Sequence, residues 1–195
     1  MQPSPVTSSP PQGISAANND LDKYLALAIE GGATHAKIIH PSSVVTAQWV
    51  RLKCQFGCFA YGTGHCCPPR TPTPEETRAI LDSYRRAILI RIEIADSPER
   101  SAYYAKCFEA LVELEGAMFK DGYYKAFVFL AGPCRMCKEC TALENKLCTF
   151  PEKARPSLES CGIDVYQTVR NNGYFIQTLR EQNETNNKYC LLMVD

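Results

Sequence analysis

The chain has 195 residues, 45% of them hydrophobic, and its 21 lysines and arginines are balanced by 21 aspartates and glutamates. That is enough apolar material for one full core, and a net charge of zero supplies no field for a polyanion, which argues against nucleic acid and membrane as partners. No apolar run reaches the length of a bilayer span, and the first nineteen residues lack the basic head and apolar body of a secretory signal, so the eleven cysteines are expected to be reduced cytoplasmic thiols rather than a disulfide framework.

Residues 1–19 are rich in Pro, Ser, Gln and Asn and read as a disordered tail. Residues 20–195 then read as a single metal-binding domain. Asp20 serves as an N-cap, Leu21, Tyr24, Leu25, Ala28 and Ile29 share a helical face, and Gly31-Gly32 stops the helix. A short strand over 36–40 ends at Pro41. Residues 44–70 look irregular and carry Cys54, Cys58 and Cys66-Cys67-Pro68-Pro69, with Gly62 and Gly64 freeing the backbone between them. A loop of that length inside a compact domain needs something to fill it.

Thr73-Pro74-Glu75-Glu76 is a capping box with proline at the first helical position, predicting a helix over 73–85. Residues 87–94 alternate as a strand, with Ile88, Ile90, Ile92 and Ile94 on one face. Ser97-Pro98 opens a helix whose stripe of Tyr104, Cys107, Phe108, Leu111, Leu114 and Met118 faces the core. Residues 124–131 are apolar on both faces and predict a central strand. Pro156 begins a short helix closed by Gly162, and Asp164 with Gln167 caps another that ends near Asn172-Gly173. Residues 174–180 and 189–194 predict a closing hairpin. The expected fold is α/β, a mixed sheet of about five strands with helices and two cysteine-rich metal-binding loops.

The second cysteine group carries the strongest chemistry. Cys134, Cys137 and Cys140 are spaced C-x₂-C-x₂-C after Gly132-Pro133, and Cys148 follows seven residues later. Three ligands from one tight loop suit an iron–sulfur cluster of the 4Fe–4S type, and the spacing resembles the bacterial ferredoxin run. Zinc, the alternative, usually takes two knuckles on separate turns. Arg135, Lys138, Lys146, Lys153 and Arg155 lie nearby, where cations would favour the thiolate and guide an acidic redox partner. In the first group Cys54, Cys58 and Cys67 are the expected ligands, since neighbouring side chains diverge and Cys67 carries the Pro-Pro brace. Cys66 is left out and points away. His65 reads as an exposed loop residue, and Cys107, Cys161 and Cys190 as packing. No phosphate loop, nucleophile elbow or placed carboxylate pair is present.

Cys54-x₃-Cys58 with Tyr61-Gly62, Cys67-Pro68-Pro69, Thr71-Pro72-Thr73-Pro74, the triplet after Gly132-Pro133, Lys153-Ala154-Arg155-Pro156-Ser157 and Gly162-Ile163-Asp164-Val165 follow in order. This set resembles a prokaryotic family of predicted metal-binding proteins, over nearly all the chain beyond the tail. The resemblance implies metal at both cysteine groups, as one iron–sulfur cluster or two, and no particular reaction. A single cysteine precedes the proline pair in that pattern, so Cys66 departs from it. Three functions are then expected to compete: an electron-transfer protein with a redox partner, an enzyme using a three-cysteine cluster with an open iron for substrate or sulfur chemistry, and a zinc-stabilised interaction module.

Overall fold

The computed structural model describes residues 19–181 and 184–195; the tail expected over 1–19 lies outside the described residues but for its last position. Four strands form one sheet in the order β1-β2-β4-β3: β1 (His35–Ile39), β2 (Ala87–Ile94), β3 (Phe127–Phe129) and β4 (Asn186–Met193). Every pairing is antiparallel. The sheet is therefore neither mixed nor five-stranded. β2 and β4 form its centre, paired from Ala87↔Met193 to Ile94↔Asn186.

Both faces of this central pair are buried, because successive residues of a strand point to opposite sides. Ile88, Ile90, Ile92, Cys190 and Leu192 pack with Tyr24 and Ala28 of α1 (Asp22–Glu30) and with Tyr104, Cys107, Leu111, Leu114 and Met118 of α4 (Arg100–Lys120). Ala87, Leu89, Tyr189, Leu191 and Met193 pack on the other side. Their partners there are Leu81 of α3 (Pro74–Asp82), Val169 of α5 (Val165–Asn171) and the segment holding Leu158, Cys161 and Ile163. Cys107, Cys161 and Cys190 are thus core residues, each 2% exposed or less.

The expected capping box forms: Thr73 Oγ1 accepts from Glu76 N at 3.2 Å and Glu76 Oε2 accepts from Thr73 N at 2.8 Å. Asp164 likewise accepts from Gln167 N at 2.9 Å to start α5. Three expectations fail. The apolar stretch 124–131 yields a strand of three residues at the sheet edge, not its centre; it is apolar on both sides because α4 covers Val128 while Phe129 joins the opposite core. The hairpin is absent, since residues 174–180 form no strand. Tyr174 N is held by Val169 O at 3.0 Å, and its ring sits edge-on to Tyr189 and His35, so β4 pairs with β2 and β3 instead. Finally, the segment 44–70 is not irregular throughout, because α2 (Gln48–Gly57) occupies much of its first half.

Candidate metal centre

The second cysteine group sits on a loop tied at its neck. Leu130 N donates to Pro156 O and Leu158 N donates to Leu130 O, both at 2.9 Å, so the chain leaves β3 and returns to the same place. Tyr104 OH donates to Ala131 O. Gly132, at φ 69°, turns the chain in the left-handed region that favours glycine, and its N–H meets Glu159 Oε2 at 3.3 Å. Past the triplet, a 3-10 turn (Thr141–Glu144) ends at Asn145 in the left-handed conformation. Thr141 Oγ1 donates to Leu147 O at 2.8 Å, which bends Cys148 back toward Cys140.

The first group straddles the end of α2. Cys54 is on the helix and Cys58 immediately follows it, one turn on. Arg51, from the same helix, donates to Ser160 O at 2.7 Å and Pro72 O at 3.0 Å and fixes α2 against the neck of the other loop. The chain then returns through Gly62 (φ 75°), whose N–H donates to Pro68 O at 2.8 Å, and Cys67 N donates to Gly64 O at 3.3 Å.

These two groups are neighbours. Arg70 donates to Gly62 O in one loop and Ala142 O in the other, each at 3.2 Å. A Cβ at Gly64 would lie 3.8 Å from Cys67 Sγ and 4.0 Å from Cys140 Sγ, so a glycine is what separates these sulfurs. Cys66 and Cys67 are adjacent in sequence and lie where the groups meet. The neighbouring Cys134 sulfur, then burial, raises the Cys66 pKa, and Cys66 in turn lowers that of Cys134 against the effect of burial. Cys67 is pushed up to about 11 by burial, then by Cys58 and Cys54 and, across the junction, by Cys134 and Cys140. Cys54 rises through burial and then the charge of Cys58. Cys137 rises through burial and then the charges of Cys140, Cys134 and Cys148.

Cys54, Cys58 and Cys67 line one cavity; in the second loop Cys140, Cys134 and Cys148 act on Cys137 through charge, and Cys134 and Cys148 likewise act on Cys66. The last of these was missed in the sequence, where it has no spacing to the triplet. Among the described residues, no three His, Cys, Asp or Glu side chains gather tightly enough to hold one metal ion. The donor set is nonetheless all sulfur and in mutual electrostatic reach, which fits a thiophilic metal. His65 Nε2 lies 3.5 Å from Thr141 Oγ1. Of the nearby cations, Arg155 binds the buried Glu115 (2.6 Å), Lys153 binds Glu109 (3.1 Å) and Lys146 binds Glu144 (2.5 Å), so these three answer carboxylates. Arg135 and Lys138 are exposed.

A cavity of about 590 Å³ opens beside the first group, and Cys54, Cys58 and Cys67 form part of its wall. Its other walls come from α2, α5, residues 175–179 and the start of β4. No sequence signal marks it, because its lining residues are scattered along the chain.

The fold presents two adjoining sets of thiols. A family model described as predicted metal-binding protein (DUF2284) matches residues 37–194, and the chain belongs to that family. No curated protein and no solved structure matches. Among the described residues, no helix is long and apolar enough to cross a membrane.

Proposed function

We propose that the chain is an iron–sulfur protein with an electron-transfer role. In this reading Cys134, Cys137, Cys140 and Cys148 would hold a 4Fe–4S cluster, and Cys54, Cys58 and Cys67 a second metal group. The observation that supports it is the meeting of the two thiol sets at Cys66 and Cys67: Cys134 acts on both, and Cys67 also answers Cys58 and Cys54. Bound there, a cluster would supply one-electron transfer at a potential set by burial, charge and hydrogen bonds to its sulfurs.

The chain's own residues would orient and tune. Cys66 lies beside Cys134, Thr141 holds the return to Cys148, and Arg70 fixes the distance between the loops. The exposed Arg135 and Lys138 would meet an acidic redox partner protein, in a reducing compartment such as the cytoplasm. Anaerobic purification followed by iron, sulfide and zinc analysis tests the proposal. Brown protein with iron and sulfide in equal amounts is expected; colourless protein carrying zinc would establish the interaction-module alternative instead. A second reading is favoured by the cavity: three thiols leave an open metal position facing it, where a small molecule would react, and the chain would then be an enzyme.

A further inference from the structure

The cavity has features that electron transfer does not use. Asn187 Oδ1 and Tyr189 OH are buried without a hydrogen-bond partner. Both residues line the cavity, and being two apart on β4 they share one face of the sheet. Tyr189 is 2% exposed, and Arg91, its cross-strand neighbour, stands beside its hydroxyl. A buried polar group left unpaired costs stability, so Asn187 Oδ1, with the Tyr189 hydroxyl on the same wall, points to something that pairs it. The same cavity is lined by aromatic rings from α2, the following turn and residues 175–179, including Trp49, Tyr61 and Phe175. Phe175 is 79% exposed at the rim, a large apolar side chain with little of its own to cover. The charged lining residues cancel, Lys53 and Lys188 against Glu159 and Glu184, so the cavity selects for neither an anion nor a cation. Its volume is that of a small-molecule site.

We propose that this cavity binds an uncharged aromatic small molecule bearing a hydroxyl or N–H donor. The donor pairs with Asn187 Oδ1, the Tyr189 phenol makes a second hydrogen bond, and the aromatic body lies against Trp49, Tyr61 and Phe175. Its far end reaches the wall formed by Cys54, Cys58 and Cys67. This inference stands on the cavity and holds whichever metal the thiols carry; with an open metal position it would supply the substrate class of the enzyme reading.

The test is calorimetric titration of the full chain, purified anaerobically, with 2-naphthol, 2-methoxynaphthalene and 2-naphthoate. Emission from Trp49, the single tryptophan, gives an independent readout. 2-Naphthol is expected to bind at least about tenfold more tightly than the other two, because only it is neutral and able to donate. Asn187→Leu should bring 2-naphthol down to the affinity of 2-methoxynaphthalene while leaving the latter unchanged. Phe175→Ala, at an exposed rim, should weaken 2-naphthol in a chain that folds normally, and decides the matter if the Asn187 variant does not fold. Equal affinity for 2-naphthol and 2-methoxynaphthalene, no binding of any probe, or 2-naphthol binding indifferent to Phe175→Ala would overturn the proposal. Iron and sulfide assayed in the same samples report separately on the metal. Zinc-loaded protein that still discriminates the naphthalenes would overturn the iron–sulfur reading and keep this site.

Discussion

Cys66 and Cys67 show how much one residue decides here. Both are buried, and both feel the Cys134 sulfur, while Cys67 also answers Cys58 and Cys54. Cys67→Ser is expected to lower the metal content by the share of the first group. Cys66→Ala should leave iron unchanged but shift the potential or the EPR spectrum of the second group, because it removes the thiol beside the Cys134 sulfur. Iron lost from Cys66→Ala would instead make Cys66 a ligand. A second single-residue case is Glu115, 8% exposed, which takes the Arg155 guanidinium and Val128 N–H at 2.7 Å. Arg155→Ala leaves that carboxylate buried and uncompensated, and chemical denaturation should show a loss of about 3–5 kcal/mol. Arg155→Lys should not restore it, since lysine cannot match the paired contacts of Arg155 Nε and Nη2 with Glu115.

At the scale of elements, Gly162 joins two of them. Its φ of 76° lies in the left-handed region, and an added Cβ would meet Pro74 Cγ at 2.5 Å and Pro74 Cα at 3.2 Å, at the start of α3. Gly162→Ala should cost about 1–3 kcal/mol from the backbone conformation alone, and a melting curve identical to the parent chain would contradict the close approach. The N-terminal 3-10 turn (Asn19–Leu21) is pinned by Asp20, which accepts from Arg86 Nη1 at 2.8 Å and from Tyr123 OH at 2.7 Å. The Arg86 hydrogen bond lowers the Asp20 pKa below the ordinary 3.8. A lowered carboxylate stabilises the fold above the unfolded value and loses that contribution as pH falls through the folded one. Asp20→Asn should therefore be less stable than the parent at neutral pH, with the gap closing below about pH 4.

Elements with local signals were legible. The capping box at Thr73, the alternation through Ile88–Ile94 and the stripe from Tyr104 to Met118 each lie in a few consecutive residues, and each formed. What failed depended on distant pairing. The apolar stretch at Phe127 has the composition of a central strand, yet its place in the sheet is set by β4, more than fifty residues later. Residues 174–180 carry strand-like side chains but surrender Tyr174 to aromatic contacts with Tyr189 and His35. α2 was hidden because cysteine and glycine spacing dominated its sequence. In the site, the triplet was visible from its spacing, whereas Cys66 and the cavity are products of tertiary folding alone.

Across the whole molecule, a sheet buried on both faces carries the thiols on its periphery. In the proposed reading, metal binding energy would be folding energy for the two cysteine segments and not for the sheet. Removing metal should raise hydrogen exchange over 44–70 and 132–156 well before it reaches β2, and equal protection in both regions with and without metal would contradict this division. The central claim is that two sulfur-bound iron groups lie side by side, joined through Cys66-Cys67 and across Gly64. EPR of the anaerobically prepared, dithionite-reduced chain tests it most directly. Two paramagnets this close should give a spectrum broadened by spin coupling, resolving to a single uncoupled signal in Cys67→Ser. A wild-type spectrum of one isolated cluster, or no iron signal at all, would contradict the account.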